Sequence, residues 1–361
     1  MSQEQNQRQG RFLRAFLSSV LGTGLSRVLG AVRDITLASF LGASATSDAF
    51  FIAFTVPNVF RRFVADEGLT GALIPSVAKA ESEEGTPEAK KLANSILGAL
   101  VLANIVICLV GMLGAEWLVY AFAASFAEDP DKFAITVTMT RWMFPFVALV
   151  SVVSFFEGLL NYRGHFFVPK VAPGLVSLGI AGAAWWAMLW GTSFEQPVFA
   201  LVVGVLVGGL AHVLINVPPV ITRWGMVSVS FSFSSPRLRA LMKELGKAVA
   251  IGIFAQLNIL VLRQLAAAVG DGAITWYWNA NRLVDLSQGM IAVAIGSALL
   301  PNISQSVADA DWERVRTDLV GALRLASFLL IPVVASLVVF ALPLAAIFFR
   351  HGNYTWTDVL W

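Results

Sequence analysis

The sequence predicts an all-α polytopic membrane protein, and three observations carry that prediction. Hydrophobic residues make up 57% of the 361 positions and charged residues only 13%, about half the charged share of a soluble domain. Apolar windows of roughly 20 residues, long enough to cross a bilayer core as helix, recur along the whole chain. The basic residues between those windows alternate between dense and sparse clusters, as a multi-pass topology requires.

Nine spans follow in order, at roughly 12–40, 48–78, 92–124, 134–160, 170–191, 197–222, 246–269, 273–307 and 317–349. The first has basic residues ahead of an apolar run, but Gly22, Gly24 and Arg27 interrupt the run and no convincing cleavage site follows. It reads as a retained helix. Several spans exceed the bilayer thickness, so tilt or kinking is expected, with Pro57, Pro145, Pro332 and Pro343 as the kink candidates. Loops after even-numbered spans, with the N-terminal segment, collect Arg8, Lys79, Arg163, Arg237, Lys247 and Arg314 among others. The opposite side has only Lys132 and Arg350. The N-terminus is therefore expected in the cytoplasm.

Two similar stretches divide the chain. LASFLGASATSDAFF (37–51) parallels LAAAVGDGAITWYWN (265–279), and ALIPS (72–76) parallels ALLPN (298–302). Six spans separate the copies, an even number, so both have the same orientation and are related by an axis along the membrane normal. The expected units are an N-terminal lobe of six spans (1–223), a cytoplasmic linker with an amphipathic helix (224–246) and a partial second lobe of three spans (247–361). The second copy ends without a polar tail, which reads as a truncated chain.

Five arginines lie where a membrane helix should carry none: Arg27 and Arg33 in the first span, Arg61 and Arg62 in the second, Arg282 in the eighth. Each costs roughly 2.5–3.5 kcal/mol at mid-bilayer. Such residues point to a wet, cationic cavity suited to an anion. Paired carboxylates are the alternative: Asp48, Asp66, Glu67 or Asp285 for the first two, and Asp285, three residues on, for Arg282. Arg27 and Asp34 share a helix face two turns apart, with Arg33 about 120° round. Snorkelling at the boundary competes for Arg61 and Arg62, and accounts for Arg141 and Arg263. Pro57, followed by Asn58, removes a helix hydrogen bond beside the arginine pair.

Other chemistries find no support in the sequence. There is no GxxxxGK[ST] phosphate loop, and His165, His212 and His351 match no metal spacing. No nucleophile–base constellation is visible, so no enzyme, metal site, cofactor or nucleic-acid partner is expected. Glu157 is a polar group facing the bundle or a proton or cation site. Cys108, the one cysteine, reads as packing.

At SRVLGAVRD (26–34), SDAFFIAFTVPNVFRR (47–62) and ANRLVDLSQG (280–289) the chain resembles the MurJ/MviN family of lipid II flippases, within the superfamily that also holds the MATE exporters. The resemblance extends in order to HGNYTWTDV (351–359). It implies a MATE-like two-lobed bundle around a central cavity, here ending after about nine of fourteen helices. It implies that Arg27, Arg33, Arg61, Arg62 and Arg282 hold the pyrophosphate of undecaprenyl-linked disaccharide-pentapeptide, with Asp34 and Asp48 as family carboxylates. Asn281 replaces a usual Asp, and Asp66-Glu67 replaces a single acid after the arginine pair. The expected function is alternating-access flipping of lipid II across the bacterial inner membrane by a monomer, driven by the membrane potential or an ion gradient. A flippase for another polyprenyl-pyrophosphate saccharide, a cation-coupled MATE-type exporter and a non-transporting paralogue are the rivals.

Overall fold

The computed structural model describes residues 3–62, 70–232, 235–285 and 311–361, with a few single positions between 299 and 309. Every regular element among them is helical: α1 (Gln3–Leu41), α2 (Ala45–Arg61), α3 (Thr70–Glu84), α4 (Thr86–Leu113), α5 (Ala115–Phe122), α6 (Pro130–Met143), α7 (Pro145–Tyr162), α8 (Phe167–Val171), α9 (Gly174–Trp190), α10 (Phe199–Arg223), α11 (Pro236–Val269), α12 (273–285), α13 (Trp312–Val339), α14 (Ala341–Phe349) and α15 (Trp356–Leu360). Six of these stretches are long and apolar enough to cross a membrane, with α6–α7 and α8–α9 each counting as one.

Among the described residues, four of the nine spans read from hydropathy, the third, fourth, fifth and ninth, are interrupted helices. Span three breaks at Gly114 between α4 and α5, and span four at Phe144, where Pro145 opens α7. Proline fits the first turn of a helix because its missing amide would have been unpaired there. Pro57 and Pro332, by contrast, lie inside unbroken helices. The amphipathic segment expected to precede span seven is not separate from it. From Pro236 the chain runs as one helix of 34 residues to Val269.

Two cores organise the bundle. One surrounds α2, whose Ala49, Phe50, Ile52, Ala53 and Val56 are almost fully enclosed, and takes in Ala267 of α11 and Ile274 of α12. The second lies towards the basic-loop side, where Leu73, Val77, Ile96, Phe155 and Leu159 meet Leu238 and Leu241 at the start of α11. A smaller cluster joins Ala38 of α1 to Phe349, Tyr354 and Val359. Helix α13 has no buried residue, as expected of an apolar helix whose neighbours are lipid or other protein.

Candidate functional site

The first approach of the two repeats is a helix-cap arrangement. Ser44 caps α2: its Oγ accepts from the Ser47 amide, and Ser47 Oγ accepts from the Ser44 amide, the reciprocal pattern of a capping box. Ser47 Oγ also lies 2.7 Å from Thr275 Oγ1. These residues occupy the same position in the two similar stretches of sequence, so equivalent positions meet where α2 and α12 approach each other. Next to them Asp48, wholly buried, accepts from the Gly272 amide at 2.7 Å and from the Thr275 amide and hydroxyl at 2.9 and 2.7 Å. A carboxylate from the first lobe thus caps the N-terminus of α12, where free amides and the helix dipole favour an acceptor. Gly272 turns its amide towards Asp48 at φ +90, a conformation open mainly to glycine.

Three further ties close this end. Lys132 Nζ pairs with Asp271 at 2.6 Å. The Gln264 side chain donates to the Tyr120 and Ala121 carbonyls and accepts from the Ala124 amide. Asn353 donates to the carbonyls of Ser39 and Phe40, so α1 is held against the segment between α14 and α15.

Below the closed end lie two adjoining hollows of about 600 and 620 Å³, whose walls share Ser26, Arg27, Arg33, Pro173, Ser177 and Arg282. Asp34 stands between two guanidiniums. Arg33 donates through Nε and Nη2 to its Oδ1, at 2.9 and 2.7 Å, and Arg282 Nε is 3.0 Å from its Oδ2. The angular reading of α1 therefore needs correction. Arg33 leaves the backbone on a different side from Asp34, but its long side chain folds back onto the neighbouring carboxylate. The pairing expected for Arg282 also changes: Asp285 is 3.8 Å away, too far for a hydrogen bond, and Asp34 is the nearer partner. The Arg282 guanidinium also lies 5.2 Å from the Trp278 ring.

Arg61 and Arg62 line the larger hollow at the end of α2, with Thr55 and Asn58. Pro57 takes one amide out of that helix, and Asn58 Nδ2 donates to the Phe54 carbonyl at 2.7 Å. Of the other supporting positions, Asp285 borders the smaller hollow, Asp48 belongs to the closure, and Asn281 is half-buried outside the hollows' walls. Asp66, Glu67 and the ALLPN motif, Leu299 apart, lie outside the described residues.

Three wall residues escaped the sequence reading. Arg263, assigned there to snorkelling, is only 6% exposed and faces the larger hollow, stacked 5.1 and 5.2 Å from Tyr277 and Trp278. Its signal was present: Gly252, Gln256, Arg263 and Ala267 form one buried stripe along α11, two polar side chains two turns apart on one face. His212, read as a scattered histidine, lies 3.2 Å from Glu157, and both reach the hollow. Lys170 also borders it. Among the described residues, seven basic side chains face three carboxylates across the two hollows, an arrangement that draws anions into a low-dielectric recess.

Among the described residues, an all-helical bundle with six stretches able to cross a membrane, closed at one end over a cationic recess, has a membrane-transporter architecture. Solved structures agree on the fold. The chain is similar to a lipid II flippase MurJ in an inward closed conformation (TM-score 0.79, 20% identity, covering 95% of this chain and 69% of that one). It is also similar to an inward-facing multidrug resistance MATE family transporter of the MOP superfamily (TM-score 0.73, 15% identity, 95% and 78%). The family model for lipid II flippase MurJ matches residues 37–361. A lipid II flippase MurJ of Burkholderia cenocepacia is 32% identical over 346 residues, covering 94% of this chain and 66% of that protein. A probable lipid II flippase MurJ of Bdellovibrio bacteriovorus is 30% identical, covering 97% and 66%. The chain belongs to the lipid II flippase MurJ family, and it spans about two thirds of the length of these relatives.

Proposed function

We propose that this chain is the cavity-bearing part of a flippase that moves lipid II from the cytoplasmic to the outer leaflet of the bacterial inner membrane. The pyrophosphate enters the arginine-lined recess, and the polyprenyl tail stays in lipid. The observation that carries the reading is the Arg33–Asp34–Arg282 bridge, in which cations from both repeats share one buried carboxylate. An anion entering there competes with Asp34 for both guanidiniums, so binding is coupled to the relation between the lobes. With the N-terminus in the cytoplasm, the Asp48 closure lies on the outer side and the recess faces inward. Release then requires that closure to open while the inner side shuts. The energy comes from the membrane potential or an ion gradient, and the working unit is a monomer.

A flippase for another polyprenyl-pyrophosphate saccharide uses the same arginines, whereas a cation-exporting MATE mechanism is disfavoured by the basic excess in the recess. The test is lipid II translocation in cells depleted of their own flippase, with this chain and with a version extended by the remaining helices of a relative. The extended protein is expected to restore translocation, and Arg282→Ala in it to reduce the rate at least tenfold. Stable insertion of the extended protein without translocation refutes the assignment.

A further inference from the structure

We propose that Arg263 is an anion-contacting residue of this cavity and forms, with Arg282 around Trp278, a subsite for the phosphates of a diphosphate-bearing ligand. The inference rests on the reading of the recess as a pyrophosphate site and adds a residue to it that neither motif nor resemblance supplied.

Arg263 lacks an acceptor for two of its three guanidinium nitrogens. Its side chain is 94% buried by its 6% exposure, and its Nε and Nη1 atoms are enclosed without a hydrogen-bond acceptor. No carboxylate stands within ion-pair distance of it among the described residues, whereas Arg33 and Arg282 share Asp34. A buried guanidinium left without an acceptor is costly, and within a membrane span it marks a functional position by default. The two aromatic contacts orient the guanidinium without neutralising it, because ring stacking leaves its N–H groups unsatisfied. They hold it at the wall of the recess, where a ligand oxygen can reach it.

The geometry also bears on the ligand class. Arg263 and Arg282 each place their guanidinium carbon 5.2 Å from the Trp278 ring centre. Both forks therefore flank one indole in the wall of the same recess, two sets of donors for a ligand with acceptor oxygens at both ends, as a diphosphate has. Planar forks at both ends match phosphate oxygens in a way that a point charge does not. Arg263 also sits one residue from Gln264, which ties α11 to the α5 end of the first lobe. A ligand held by Arg263 is therefore bound by a residue of α11 adjacent in sequence to this tie.

The test uses the purified full chain in detergent with inorganic pyrophosphate as the probe, read by calorimetric affinity and by pyrophosphate-dependent melting temperature. Arg263→Met, which keeps the stem and removes the charge, is expected to weaken pyrophosphate binding about tenfold. Its unliganded melting temperature should rise, because the unpaired charge is gone. Arg263→Lys should lose about threefold, having charge without the planar fork. Parent-level affinity in Arg263→Met, or a lower unliganded melting temperature with an unchanged pyrophosphate response, overturns the proposal and marks a purely structural clamp. If Arg263→Met does not fold, Arg263→Lys decides by the same comparison. Loss of binding in these variants beside failed lipid II translocation by the extended protein would refute the flippase assignment and leave the subsite standing. Absence of pyrophosphate binding by the parent would remove the subsite.

Discussion

Asp34 and Asp48 are both buried carboxylates of the first lobe, at 4% and 0% exposure, and both reach the second lobe. Their partners differ in kind. Asp34 is held by two guanidiniums on long side chains. Asp48 is held by two backbone amides and a hydroxyl at the start of α12. A guanidinium can swing to a competing anion at little structural cost, whereas a helix-terminal amide is fixed by the helix it begins. One fold thus uses the same functional group as an exchangeable counter-ion in the recess and as a rigid tie at its closed end.

The tie is the more sensitive of the two. Asp48→Ala orphans the Gly272 and Thr275 amides in a buried interface, at about 1–3 kcal/mol for each group that finds no water, while the Thr275 hydroxyl keeps Ser47 Oγ as a partner. A loss of about 3 kcal/mol or more is expected, seen as a large drop in melting temperature of the purified chain. Asp48→Asn keeps one acceptor oxygen and should lose less. If Asp48→Ala melts with the parent, the contrast drawn here between tie and counter-ion is wrong.

Asp34→Asn should have the smaller effect on stability and the opposite effect on binding. Removing one partner of a fully buried pair costs about 3–5 kcal/mol, but Arg282 is 33% exposed at its side chain, so water reduces the loss to about 2 kcal/mol. Arg33 and Arg282, released from their carboxylate, should then bind inorganic pyrophosphate more tightly than the parent. Calorimetric titration of the variant checks this, and weaker binding would mean that Asp34 positions the arginines and does not compete with the ligand.

How much of this was legible depends on whether a residue's partner leaves a mark in sequence. Arg27, Arg33 and Arg282 stood out because a cation inside an apolar window is costly wherever the helix packs. The repeat was legible through Gly42 and Gly270 and through Ser47 and Thr275, which sit at equal offsets in the two copies. The partners of Asp48 were not, because two of its three donors are backbone amides, present at almost every residue. The Arg33–Asp34 pair was hidden because helical angles locate Cβ atoms, and a guanidinium lies several bonds beyond. Arg263 sat near the end of its span, where depth in the sequence does not separate snorkelling from burial under Tyr277 and Trp278 of another helix. The helix break at Gly114 lay within a continuous apolar window, which hydropathy cannot divide, whereas Pro145 marked the break at Phe144.

A third carboxylate, outside the spans, gives the comparison its solvated limit. Glu81, near the end of α3, accepts from Tyr162 Oη, from Arg163 Nη2 and from Thr86 Oγ1. The Tyr162 hydrogen bond, followed by the Arg163 and Thr86 hydrogen bonds, holds its pKa below the usual 4.5. A depressed folded-state value stabilises the native protein above the unfolded pKa, and that contribution is lost as pH falls through the folded one. The melting temperature of the parent should therefore be insensitive to Glu81 above about pH 5 and lose its contribution in more acidic buffer. Glu81→Gln should remove that acid-side dependence at a cost below about 1 kcal/mol at neutral pH, since the pair is partly hydrated. A neutral-pH loss as large as that of Asp48→Ala would show that hydration does not separate the three carboxylates, and that the basic-loop side is tied as rigidly as the closed end.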